Sequence, residues 1–345
     1  MHKVGIVGDG YTAAELLRIL ALHPAVEVTT VLSTENVGRR IDEIYPHLTG
    51  ICDLSCEESQ IKNLSGCCEA VFLALPHGVS MDMAPQLLEA GMKVIDLGAD
   101  FRLKDATLYE NYYELSHAQP GLLEEAVYGL PELYREKIKT ARLIANPGCF
   151  PTSAIVPLAP LLKAGLLETE GLVIDSKSGV SGAGRALKQS SHFCEVNEGL
   201  KAYGVGTHRH GPEIAQELSF AAGCEVEMVF TPHLVPMNRG ILTTCYARLR
   251  PGIKPQAVRE ALEDYYRGER FIKVLPREAV PNTKWVYGSN YVHLGLHVNP
   301  QSRRVIVVSA IDNLNRGASG QAVQNLNLIL GQPEHEAIAG AGVYP

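Results

Sequence analysis

In this chain of 345 residues, the segment Asn146-Pro147-Gly148-Cys149-Phe150-Pro151-Thr152 has the strongest potential for chemistry. Pro147 and Gly148 make a turn after an apolar stretch, and Cys149 then stands at the start of a helical pattern. A helix N-terminus offers unpaired N–H groups and a partial positive charge, which favours thiolate over thiol. The same N–H groups can hold the oxyanion formed when an acyl carbon is attacked. A lone cysteine is more often a buried apolar side chain. The strand–turn–Cys–helix order reverses that expectation for Cys149 alone among the eight cysteines.

A thiolate nucleophile needs a group that moves protons. His208-Arg209-His210-Gly211-Pro212-Glu213 supplies one. Pro212 suits the first turn of a helix, which puts both histidines in the loop before it. Either imidazole can serve. Glu213, three residues after His210, can fix the tautomer of that ring, which favours His210. The third element runs from Ser176 to Arg185. Its alternating serines and glycines expose backbone N–H groups as an anion nest, with Lys177 and Arg185 adding charge, so a phosphate is its expected ligand.

Near the N-terminus, Gly8-Asp9-Gly10-Tyr11-Thr12-Ala13 reads G-x-G-x-x-A between a strand and a helix. That context marks a dinucleotide site: a tight turn, close backbone approach to a pyrophosphate, and a helix N-terminus facing the anion. The second strand ends at Ser33-Thr34-Glu35, with Arg39 and Arg40 beyond it. Hydroxyls and guanidinium groups suit the 2′-phosphate of NADP. Glu35 is a carboxylate of the kind that selects NAD, and an arginine pair is often only solvated surface charge.

These groups need elements to position them. Lys3–Gly8, Val26–Leu32, Ala70–Leu75, Lys93–Leu97 and Arg142–Ala145 read as buried strands, with helices at Thr12–Leu22 and Ser80–Ala90. This alternation predicts a parallel sheet covered on both faces. Asp100–Tyr134 reads as irregular surface structure. Past residue 148 the pattern changes. Helices at Cys149–Ala164, Pro212–Ala222 and Pro255–Tyr266 separate strands at Leu172–Ser176, Glu225–Phe230, Gly240–Leu249, Val292–Val298 and Arg303–Ala310, as in an α+β domain. A last helix follows at Gly317–Leu330.

Composition sets the outer limits. Apolar residues make up 46% and charged residues 20%, with a net charge of −7 and no long Lys/Arg run. Neither nucleic acid nor an anionic membrane is expected as partner. No apolar run reaches the ~18 residues of a membrane span, and no leader pattern precedes the first strand, so a cytoplasmic location is expected. Cys52, Cys56, Cys67 and Cys68 lack zinc-site spacing, so no metal is expected and the thiols should be unpaired.

The chain resembles the N-acetyl-γ-glutamyl-phosphate reductases of arginine biosynthesis, relatives of the aspartate-semialdehyde dehydrogenases. The resemblance rests on Tyr11-Thr12 with Glu15-Leu16-Leu17, Tyr45-Pro46-His47-Leu48, Asp96-Leu97-Gly98-Ala99-Asp100-Phe101-Arg102 and Asn146-Pro147-Gly148-Cys149. It continues through Ser178–Arg185, His208-Arg209-His210, the Phe230–Met237 run with Arg239-Gly240, Asp312-Asn313-Leu314 and the Gly317–Asn325 stretch. The glycine turn is one residue shorter than in that family and carries Asp9, and Arg316 replaces a more usual lysine.

The resemblance implies an α/β architecture: a Rossmann-like, parallel-sheet NADP-binding domain over 1–148, completed by 313–345, and an α+β catalytic and oligomerisation domain over 149–312. The last helix would return to the first domain and bring Asn325 towards the nicotinamide. Cys149 is then the acyl-accepting nucleophile, with His210 or His208 as acid–base and Glu213 behind them. Gly8, Gly10, Tyr11, Thr12, Ser33, Arg39, Ser178, Gly179 and Asn325 are expected to hold NADPH. Ser181, Gly182, Arg185, Arg102, Arg209 and Asn146 are expected to hold the substrate and its phosphate. The partner is a small-molecule acyl phosphate, and a homodimer or homotetramer is expected. Two other readings share many of these features: a sister reductase of aspartyl or carrier-bound aminoadipyl phosphate, and a redox-silent NADP-binding regulator.

Overall fold

β-Branched runs alternating with amphipathic helices dictate the first half of the chain. In order, these are β1 (His2–Val7), α1 (Tyr11–Leu20), β2 (Val26–Ser33), α2 (Ile41–Ile44), β3 (Cys56–Glu58), β4 (Ala70–Leu73), α3 (Ser80–Glu89) and β5 (Lys93–Asp96). Next come α4 (Ala106–Tyr113), α5 (Pro120–Glu125), β6 (Val127–Tyr128), α6 (Pro131–Thr140) and β7 (Leu143–Ala145). The computed structural model describes residues 1–344. It divides the chain into two units, Met1–Pro147 with Ala318–Gly340, and Gly148–Gly317 with the tail from Ala341.

In the first unit the strands pair in the order β3-β2-β1-β4-β5-β7-β6, all parallel. The central strand β4, buried on both faces, is the continuous apolar run Ala70-Val71-Phe72-Leu73, each residue fully buried. The chain starts in the middle of the sheet, moves outward to β3 and restarts at β4. The loops after β1 and β4 therefore part at a topological switch point, where such sheets bind ligands.

The stretch expected to be irregular, Asp100–Tyr134, instead contains α4, α5, β6 and the start of α6. Asp105 caps α4 by accepting the Thr107 N–H, and Tyr109 and Tyr113 stack with centroids 4.6 Å apart. Burial of those rings, not a periodic apolar stripe, forms this helix, which is why the sequence pattern concealed it.

The second unit contains α7 (Cys149–Lys163), β8 (Leu172–Ser178), α8 (Phe193–Val196), β9 (Lys201–Ala202), α9 (His210–Ala222), β10 (Met228–Leu234) and β11 (Ile241–Arg248). It continues with α10 (Gln256–Tyr265), β12 (Ile272–Val274), β13 (Val292–Asn299) and β14 (Arg304–Ile311). A π-helical turn at Asn315–Ser319 then leads into α11 (Gly320–Ile329), which belongs to the first unit. The strand order is β12-β13-β14-β11-β8-β10-β9, a mixed sheet. β10 begins three residues later than expected, and the two- and three-residue strands are too short to show a period. Along β11 burial alternates strictly, with Thr243, Cys245 and Ala247 facing inward.

Helix α7 packs on β11 and β14 and contains Pro157 and Pro160 in its interior. Each proline removes the N–H that would pair with a carbonyl four residues back. Those two carbonyls have other donors: the Ser309 hydroxyl reaches Ser153 O at 2.5 Å, and the Tyr266 hydroxyl reaches Val156 O at 2.5 Å. The helix ladder is thus completed by β14 and by the end of α10. Tyr266→Phe should therefore cost about 1–3 kcal/mol, because it leaves a buried carbonyl unpaired while preserving the ring. Urea unfolding of the two proteins checks this, and an unchanged midpoint would show that Val156 O is otherwise satisfied.

Candidate active site

Cys149 is the first residue of α7, half-buried, with Gly148 as the N-cap in an extended conformation and no side chain capping the helix. In the first turn of α7 the Thr152 N–H donates to Gly148 O at 2.9 Å, and Pro151 has no N–H to satisfy. Glu213, almost fully buried on α9, accepts the Gly148 N–H at 2.9 Å. This carboxylate holds the turn that precedes Cys149, a contact made through space and hidden in the sequence. α9 begins at His210, not Pro212, so His210 is the first helical residue and only His208 lies in the loop.

Phe150, next to the nucleophile, packs edge-on against both imidazoles, 5.6 Å from His208 and 5.8 Å from His210. Tyr203 and Phe230 complete an aromatic wall around His208, at 5.4 and 5.5 Å. The His210 amide donates to Nδ1 of His208 at 3.1 Å, so the proton of neutral His208 resides on Nε2. Burial, and then the charge of Arg209, push its pKa from 6.5 down to about 4. His208 is thus held neutral, with Nε2 as its N–H. Tyr203 lacked any sequence signal. Its phenol is pushed up by burial and then by the charge of Cys149.

A buried carboxylate shapes the other side. Asp312 Oδ1 accepts from Arg239 at 2.8 Å and from the Leu314 and Asn315 amides at 2.9 Å each. Its Oδ2 accepts the Gly288 amide at 2.7 Å, and its carbonyl accepts the Gly317 amide at 2.9 Å. The resulting turn lays Gly317 on the nucleophile: a Cβ there would lie 2.6 Å from Cys149 Cβ.

The loop expected to be an anion nest is built differently. The amides of Gly179, Val180 and Ser181 donate to Gly240 O, Met237 O and Asn238 O at 2.9, 2.9 and 3.1 Å. Those of Gly182 and Gly184 donate to Gly179 O and Ser181 O. Asn313 ties the loop down, donating to Ser181 Oγ and accepting the Gly240 amide. Lys177 pairs with Asp175 at 2.9 Å. Any anion here must meet side chains, with Arg185 and Arg209 both exposed nearby in sequence.

In the first unit, Gly8 has φ +113° and a Cβ would strike Ala74 O at 2.3 Å, so only glycine fits. Gly10 caps α1, and a Cβ there would meet nothing within 4 Å. That open approach to an uncapped helix N-terminus, beside Tyr11 and Thr12, fits a dinucleotide pyrophosphate. The Ser33 hydroxyl donates to Asp9 Oδ2 at 2.7 Å, and Arg39 donates to Asn36 Oδ1 at 2.8 Å. A pocket of about 350 Å³ opens beside them, lined by Ser33, Thr34, Val37, Glu58 and Ser59.

Three further candidates make internal contacts. The Asn325 amide donates to Gly129 O and Asn146 Oδ1, and Asn146 donates to Ala318 O. Arg102, nearly buried, donates to Asn146 O and Leu97 O. These side chains brace the end of β7. Among the described residues no three His, Cys, Asp or Glu side chains are grouped to hold a metal, and no helix is long and apolar enough to cross a membrane.

Comparison with known proteins places these sites in context. Residues 3–141 match the semialdehyde dehydrogenase NAD-binding domain, and residues 149–313 match the semialdehyde dehydrogenase dimerisation domain. The chain is 53% identical over 344 residues to the N-acetyl-gamma-glutamyl-phosphate reductase of Pelotomaculum thermopropionicum, covering 99% of each. It is 52% identical over 346 residues to that of Symbiobacterium thermophilum, again covering 99% of each. Its fold matches aspartate semialdehyde dehydrogenase II of Vibrio cholerae, with TM-score 0.73, 17% identity and coverage of 96% and 98%. It also matches the NADP-containing enzyme of Candida albicans, with TM-score 0.72, 17% identity and the same coverage.

Two outcomes test this geometry. Gly317→Ala should push Cys149 aside and slow its alkylation by about a hundredfold, the cost of an ångström-scale misplacement, with the circular dichroism unchanged. Undiminished labelling would show that the contact is slack. The second concerns acid. An unfolded histidine takes its proton near pH 6.5, whereas folded His208 waits until about 4. Its contribution is therefore complete above about pH 6.5 and lost as the pH falls towards 4, by about 3 kcal/mol. Urea midpoints from pH 7.5 to 4.5 should fall less steeply in His208→Gln. Parallel slopes would contradict the assignment.

Proposed function

The chain belongs to the N-acetyl-gamma-glutamyl-phosphate reductase family, and from that premise we propose that Cys149 is the residue through which it works. The reaction is the NADPH-dependent reduction of N-acetyl-L-glutamyl 5-phosphate to N-acetyl-L-glutamate 5-semialdehyde and phosphate, in arginine biosynthesis. The observation that carries the role of Cys149 is its place at the first residue of α7, on a turn held by Glu213, with Phe150 packed against both histidines.

The thiolate attacks the γ-carbonyl carbon, forming a carbon–sulfur bond. The oxyanion of the tetrahedral adduct sits at the α7 N-terminus, with the Nε2–H of His208 as a further donor. The adduct collapses, the carbon–oxygen bond to phosphate breaks, and a thioester on Cys149 remains. NADPH held by the Gly8–Thr12 turn would supply the hydride that the thioester carbon accepts. The hemithioacetal then releases the aldehyde, and the thiolate is restored. His210 gives and retrieves the proton as charge moves on and off these oxygens. Arg185 and Arg209 are the cations assigned to phosphate and carboxylate.

A homodimer suits the second unit. One face of its sheet leaves Val173, Val229 and Tyr246 exposed by 38, 55 and 37%. An apolar patch of this kind marks an interaction surface. A reducing cytoplasm suits a chain in which none of the eight cysteines is in a disulfide.

The reverse reaction tests the scheme. With N-acetylglutamate semialdehyde, phosphate and NADP, the wild type should form reduced nicotinamide in a phosphate-dependent way. Cys149→Ser should show no turnover while still binding the cofactor, and His210→Asn should lose about 10²–10⁴-fold in kcat. Substantial turnover in Cys149→Ser would sink the covalent route.

A further inference from the structure

We propose that Asp9 is a cofactor-selecting residue that opens this chain to NADH alongside NADPH; the inference rests on the cofactor reading given above. Asp9 stands in the turn between Gly8 and Gly10, where the backbone is fixed by the Tyr45 hydroxyl donating to Asp9 O at 2.7 Å. Its carboxylate reaches across to the end of β2. There Oδ2 accepts from Ser33 Oγ at 2.7 Å and from Asn36 Nδ2 at 2.5 Å. A carboxylate at the end of the second strand binds the ribose 2′-hydroxyl of NAD and repels the 2′-phosphate of NADP. Here it comes from the glycine turn instead of the strand, but it occupies the same place.

The hydrogen-bond inventory sharpens the point. The Ser33 hydroxyl has one proton, given to Asp9, while its lone pairs accept the Glu35 and Asn36 amides at 3.1 and 2.9 Å. Ser33 therefore has no proton left for a phosphate. Asp9 Oδ1 has no partner among the described residues, so it can accept from a ribose hydroxyl. Of the two nearby arginines, Arg40 is held by Asp42 and Asp53 at 2.8 and 2.9 Å. Arg39 is the cation that faces this network, through Asn36 Oδ1. One carboxylate and one guanidinium then bracket Asn36. The first favours a diol and the second a phosphate, so neither cofactor is rejected outright.

Binding separates this idea from the reading of the reaction. NADPH and NADH are titrated by nucleotide fluorescence, and 2′,5′-ADP and 5′-AMP by calorimetry, on wild type, Asp9→Asn and Asp9→Ser. The wild type should hold the two dinucleotides within about tenfold of each other. Both variants should shift the ratio towards NADPH and 2′,5′-ADP by about tenfold or more, since discrimination is a difference of two affinities and a like charge has been removed. Asp9→Asn keeps the shape and an acceptor for Ser33, so a shift in it reports charge and not a damaged turn. A wild-type preference for NADPH beyond about a hundredfold, or ratios in both variants within twofold of wild type, would overturn the proposal. Failure of the wild type to bind either dinucleotide would overturn it together with the cofactor reading itself.

Discussion

The buried carboxylate of Asp312 organises the catalytic unit. It sits fully buried at the end of β14, with Arg239 and three backbone amides on its two oxygens. A charge in such a place is tolerable only with its partners in position. Those partners come from three separate stretches of chain, near residues 239, 288 and 314. Their convergence fixes the turn that presses Gly317 onto Cys149. Cys149 is therefore positioned by an electrostatic knot that acts through Gly317.

Glu213 acts from the opposite side. Asp312 sets the backbone that leans on the thiol, and Glu213 sets the turn from which the thiol projects. Between them lies an aromatic wall that keeps His208 dry and neutral. The two imidazoles, two residues apart, are thereby placed differently: His208 lies in the loop inside the aromatic wall, and His210 is the first residue of α9. Burial and the charge of Arg209 keep His208 neutral, and the His210 N–H to His208 Nδ1 bond fixes its tautomer.

What the sequence disclosed was local. The turn before Cys149 and the glycine turn after β1 are readable because strand, turn and helix follow one another within a few residues. The parallel sheet was readable because strands such as β4 are continuous apolar runs. What lay hidden depends on distant pairs. Glu213 was taken as a support for its neighbour His210, yet it holds Gly148, 65 residues away. The amides of 179–182 looked available because the sequence shows glycines and serines but not Gly240, Met237 and Asn238 already accepting from that loop. Ser33 looked like a phosphate ligand until Asp9 was found at its hydroxyl. The helices between Asp100 and Thr140 escaped notice because rings buried against Asp100, not a stripe of aliphatic residues, hold α4 in place.

The two interior prolines of α7 have a consequence for the order of assembly. A helix that lacks two of its own hydrogen bonds is a poor autonomous structure. Its missing donors, Tyr266 and Ser309, arrive more than a hundred residues later in the chain. The helix end that carries Cys149 therefore exists only after most of the second unit has been made and has packed around it. A chain emerging from the ribosome thus carries residues 149–163 without the partners that complete their helix, and Cys149 takes its place at a helix terminus only in the finished unit.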